Sequence, residues 1–92
     1  MIYKDILFRH TAFKHGYDES TIRHAIDHAL IVTTADMTVD PPKVIAVGPD
    51  RAGNLLEVIW IEVDENTGMV IHAMALRPAL YSLLPREDGG DS

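Results

Sequence analysis

Glu57, Arg77 and Arg51 are the residues whose types and spacing best suit chemistry in this chain. Glu57 lies in the apolar run 55–63, Arg77 ends the run 69–77, and Arg51 sits in the link 48–54 that leads into the first of these. Taken as antiparallel strands with Val63 opposite Met69, the two runs place Glu57 opposite Ala75 and Leu55 opposite Arg77. Side chains two apart along a strand share a face, so Glu57 and Arg77 become diagonal neighbours. With Val47 opposite Leu55, the link carries Arg51 towards Arg77. Two guanidiniums can clamp a phosphate and stabilise charge building on a pentavalent phosphorus, while a carboxylate takes a proton. The same spacing also describes a plain ion pair that neutralises a half-buried carboxylate. In this register His72 falls opposite Trp60, on the other face.

The chain has five histidines. His15, next to Lys14 and before Gly16, is of the type that exchanges protons near neutral pH, and equally of the type that caps a helix end. His24 and His28 stand one helical turn apart, a spacing that suits zinc. The third ligand would have to be His10 or His15, and nothing in the sequence turns either towards the pair. A solvated polar helix face is the simpler reading, and no metal or other cofactor is expected.

The elements that must position these residues follow from periodicity and punctuation. Residues 2–8 read as a first strand and residues 9–15 as a helical turn closed by Gly16. The best-specified element is a second helix. Asp18 is its N-cap, Tyr17 and Ile22 form a hydrophobic staple, and Ile22, Ala25, Ile26, Ala29 and Leu30 make one apolar stripe. Arg23 and Asp27 are spaced to pair on its flank. Residues 31–34 run extended and 35–42 form a loop ending in Pro41-Pro42. Residues 43–47 are β-rich, and 55–63, apolar on both alternating faces, is a central strand. The turn 64–68 has hairpin chemistry with Gly68 free to take a positive φ. Pro78 opens a last short helix that ends at Pro85. The order is β-α-α-β-β-β-α: an α+β fold with two helices on one face of a mainly antiparallel sheet. Residues 1–84 form one domain and 85–92 an acidic, disordered tail.

Bulk composition narrows the function classes. Ninety-two residues make one domain with a single core. The absence of cysteine removes disulfides, thiolate metal sites and thiol nucleophiles. No run resembles a signal peptide or a membrane span, which points to the cytoplasm and away from a membrane. The formal net charge of -6 disfavours non-specific grip on nucleic acid and suits a basic protein partner.

Lys14-His15-Gly16, the capped helix, the three strands and the closing arginine resemble the BrnT-type toxins of the RelE/ParE superfamily of bacterial toxin–antitoxin systems. Small actinobacterial toxin-like proteins are similar over His15-Gly16, the segment 48–57 (Gly-Pro-Asp-Arg-Ala-Gly-Asn-Leu-Leu-Glu), and Ile71-His72-Ala73-Met74 with Arg77. The likeness covers residues 9–84. It implies a compact RelE/BrnT-like fold and a toxin that is a metal-independent endoribonuclease of the mRNA interferase type. Such toxins act on RNA, usually on the ribosome, and are neutralised by a small antitoxin, often one with a ribbon-helix-helix part. It implies catalytic roles for Lys14, His15, Glu57 and Arg77, and phosphate or RNA binding by Arg51 and Arg77. Self-association into a homo-oligomer stays open. The chain departs from these ribonucleases in charge, since they are usually basic. Its acidity favours the other reading, a non-catalytic protein-interaction module.

Overall fold

Asp18 stops the chain in an extended conformation (φ -88°, ψ 172°) and its carboxylate accepts a hydrogen bond from the Thr21 amide at 2.8 Å. That backbone donor holds the Asp18 carboxyl below its ordinary value and starts helix α1, Glu19–Asp27. In the computed structural model, which describes residues 3–36, 38 and 40–85, Ile22, Ala25 and Ile26 are buried as the stripe requires. Leu30 is not part of it: the helix closes at His28, the chain turns into a strand, and Leu30 is 53% exposed. Arg23 pairs with Glu19 at 3.0 Å and lies over the Phe8 ring at 5.3 Å.

The sheet has five strands in the order β1-β5-β4-β3-β2: β1 Asp5–Phe8, β2 Ile31–Asp36, β3 Lys43–Pro49, β4 Leu55–Asp64 and β5 Thr67–Ala75. Two points correct the sequence reading. Residues 31–36 form a full edge strand against β3. The sheet is also mixed, because β1 runs parallel to β5. These two strands are some sixty residues apart, so no turn between them fixes their relative direction, and local pattern does not reveal it. The segments expected to be helices on either side of this layout are short 3-10 turns, His10–Phe13 and Pro78–Leu83. Of the expected tail, residues 86–92 lie outside the described residues, as does Ile2 of the expected first strand.

The main apolar cluster lies on one face of the sheet, while Ile45 and Val47 are buried on the other. Ala46, Leu56, Val58, Trp60, Val70 and Ala73 pack with Tyr3, Ala12 and the α1 stripe. The helix lies unusually close at Gly48, where an added Cβ would stand 2.0 Å from the Ala25 carbonyl oxygen. Strand alternation turns Glu57, Ile59 and Ile61 to the opposite face.

Register is where the sequence reading and the structure part. Glu57 pairs with Met74 rather than Ala75, and Val47 pairs with Glu57 rather than Leu55. A bulge follows: Ile59 pairs with His72, whereas Trp60 pairs with Val70, leaving Ile71 extra. The β4–β5 turn is also tighter than expected, since Asp64 already pairs with Thr67. Gly68 lies inside β5 without a positive φ. Its missing side chain serves the Tyr3 ring, which an added Cβ would meet at 2.9 Å. In the β3–β4 link the Asp50 carboxylate accepts from the amides of Ala52 (3.0 Å) and Asn54 (2.8 Å), and Gly53 takes φ +92°. Donation from the Asn54 amide keeps the Asp50 carboxyl below its ordinary value.

Candidate functional site

The register places a carboxylate, an imidazole and a guanidinium on one spot of the face away from α1. Glu57, near the start of β4, is fully buried. Its Oε1 accepts from the Arg77 amide at 3.0 Å and from Arg77 Nε at 3.1 Å. Its Oε2 accepts from Arg77 Nε at 3.0 Å, from a terminal Arg77 nitrogen at 2.6 Å, and from His72 Nε2 at 3.0 Å. Burial alone would raise the Glu57 carboxyl. The donors from the Arg77 side chain, the Arg77 amide and His72 outweigh it and hold the group below its ordinary value. The same pairing raises Arg77.

Local structure explains the arrangement. Arg77 follows β5 in an extended conformation (φ -81°, ψ 145°) with Pro78 fixed behind it, so its amide and side chain both return to Glu57. The bulge after Ile59 sets His72 on the Glu57 face. The first 3-10 turn is pinned to the same stretch of β5: Arg9 N donates to Val70 O at 2.9 Å and Thr11 Oγ1 to Ile71 O at 2.7 Å. Gly16, at φ +92°, then reverses the chain. His15, just before it, meets His72 edge-to-face with ring centroids 5.8 Å apart.

The chemistry of this group is definite in one respect. A carboxylate only accepts, so His72 carries a proton on Nε2, and in the neutral ring Nδ1 presents a lone pair. With 25% of the His72 side chain and 52% of the Arg77 side chain exposed, the buried carboxylate is roofed by groups that reach solvent. A guanidinium has five N–H groups, and Glu57 engages only Nε and one terminal nitrogen. Among the described residues no buried polar side-chain atom lacks a partner.

Of the residues singled out from sequence, Glu57 and Arg77 are joined as expected, and His15 stands beside them. Lys14 is exposed, next in sequence to His15. Arg51 is not brought to Arg77. It donates to Ser20 Oγ at 3.1 Å and lines a groove beside α1, on the face opposite Glu57. His72 is the member that sequence reasoning placed on the wrong face. The Ile-His-Ala run inside an otherwise apolar strand was its one signal. His24 and His28 stack at 4.2 Å, and among the described residues no three His, Cys, Asp or Glu side chains gather into a metal-binding group. No described helix is long and apolar enough to cross a membrane. Comparison with protein families, with curated proteins and with solved structures finds no match for this chain.

Proposed function

We propose that the Glu57–His72–Arg77 cluster, with His15 at its edge, is the centre of a toxin-type endoribonuclease that works by acid–base chemistry. The observation that carries the reading is the shared Glu57 Oε2, which binds Arg77 and His72 together while a second imidazole stands 5.8 Å from the first. The roles differ from those the resemblance implies. Glu57 is buried, saturated with donors and held ionised, so it is a poor base; it orients His72 and Arg77. His72 Nδ1 accepts the proton of a ribose 2′-hydroxyl as its oxygen bonds to phosphorus. His15 gives a proton to the departing 5′-oxygen as the P–O bond breaks. Arg77 donates to the non-bridging oxygens through its remaining N–H groups, with Lys14 adding charge nearby. The RelE/BrnT-like assignment, RNA or the ribosome as substrate, and a small ribbon-helix-helix antitoxin as partner belong to this same proposal.

The acidic charge supports a second reading, a module that binds a basic protein and uses the cluster only as structure. One experiment separates them. The purified chain is incubated with single-stranded RNA, and the 3′ ends are examined for 2′,3′-cyclic phosphate. Cleavage that falls by at least about a hundredfold in His72→Asn, together with growth arrest on induction that Arg77→Ala relieves, supports the ribonuclease. Folded protein that neither cleaves nor arrests growth, or cleavage unchanged in His72→Asn, overturns it.

A further inference from the structure

A second pair of imidazoles lies on the other side of the molecule, in an open groove of about 600 Å³ beside α1. His24 Nδ1 donates to the carbonyl oxygen of Pro49 at 2.9 Å, across to the end of β3. His28 Nδ1 donates to the carbonyl oxygen of His24 at 2.9 Å, one turn back along the helix. A carbonyl oxygen cannot donate, so both rings carry a proton on Nδ1, and the neutral rings both present an Nε2 lone pair. His24 is held as metal-binding histidines are, its second nitrogen tied to a carbonyl so that tautomer and ring direction are set in advance. The rings also stand together, with centroids 4.2 Å apart. Glu19 and Asp27 in the groove wall offset the charge of Arg23 and Arg51, so the wall has no net excess of positive charge to repel a cation.

We propose that His24 and His28 form a two-imidazole site for a borderline divalent transition-metal ion, copper(II) above nickel(II) and zinc. Two neutral imidazoles one helical turn apart are a cis donor pair for such ions, and affinity for nitrogen ligands peaks at copper(II). The planes now lie 22° apart, and an ion about 2 Å from each nitrogen requires the rings to splay. His28, exposed at the helix end, is the ring that turns, exchanging its bond to the His24 carbonyl for one to solvent while His24 keeps its direction from the Pro49 carbonyl. Since among the described residues no third His, Cys, Asp or Glu completes a cluster, solvent fills the other positions. The site is remote from Glu57 and His72 and has no part in the proposed cleavage.

The test is calorimetric titration of the untagged full chain with copper(II) chloride in a non-coordinating buffer, with electron paramagnetic resonance of the complex. One saturable equivalent is expected, with hyperfine structure from two imidazole nitrogens. His28→Ala and His24→Ala should each weaken binding about tenfold or more, whereas His10→Ala leaves it unchanged; circular dichroism confirms the fold of each variant. Should His24→Ala fail to fold, His28→Gln carries the comparison. Binding unaffected by the His28 substitutions, a spectrum with one nitrogen, or no saturable binding by folded protein overturns the proposal.

Discussion

Glu57 is a carboxylate removed from water and kept charged by Arg77 and His72, so its protonation is tied to folding. Its carboxyl titrates below the ordinary 4.5 in the folded protein, and the unfolded chain therefore binds a proton there more readily. The stabilisation is fully present above the unfolded value and is lost as pH falls through the depressed folded one. Glu57→Gln keeps the shape and removes the charge. It should cost about 2 kcal/mol near neutral pH, and the gap to the parent should shrink in acid. Urea unfolding of both proteins at about pH 7 and about pH 3 reads this directly; an equal gap at both values would mean that Glu57 is not the ionised partner. The Glu57–Arg77 pair was legible in the sequence because an acid set between apolar residues in a strand needs a cation, and Arg77 ends the neighbouring run. His72 was not. With a side-chain period of two, a one-residue error in register moves a residue through the sheet, and the bulge that corrects its position leaves no mark in local composition.

The elements were read best where their signals are local. The N-cap of α1 and the first three residues of its stripe need only residues 17–26 to be recognised, and these form as expected, whereas the stripe's end at Leu30 does not. β2 was missed because 31–36 mixes threonines with apolar residues and runs towards Pro41-Pro42; its partner, β3, supplies the pairing that makes it a strand. The role of Gly48 was equally hidden. In sequence it opens a turn-rich link, yet in the fold it lies in β3, buried where α1 crosses the sheet. Backbone rather than a flexible side chain stands 2.0 Å from its absent Cβ, so alanine cannot be absorbed by a rotamer change. Gly48→Ala must lift the helix from the sheet and should cost about 2 to 3 kcal/mol. Thermal unfolding of this variant beside Gly53→Asn, which tolerates a positive φ and meets open space, isolates the close approach. Equal effects of the two would show that loop conformation, not helix–sheet distance, governs stability here.

At the scale of the whole molecule the decisive quantity is charge, and it was fully legible. A chain of net charge -6 cannot gather RNA with a broad basic face; on the proposed ribonuclease reading, attraction is confined to Arg77 and Lys14. That confinement has a thermodynamic signature. Each phosphate neutralised on a single strand contributes about -0.7 to the slope of log binding constant against log salt concentration. Two cationic contacts therefore give a slope of about -1 to -2, and the repulsion of the remaining acidic surface weakens binding without steepening it. Fluorescence anisotropy of a labelled single-stranded RNA with the His72→Asn variant, which binds without cutting, measures the slope over a tenfold range of salt. Arg77→Gln should remove about 0.7 of it. A slope of about -4 or steeper, or one indifferent to Arg77, would place the RNA on a different surface and separate the buried carboxylate cluster from nucleic-acid recognition altogether.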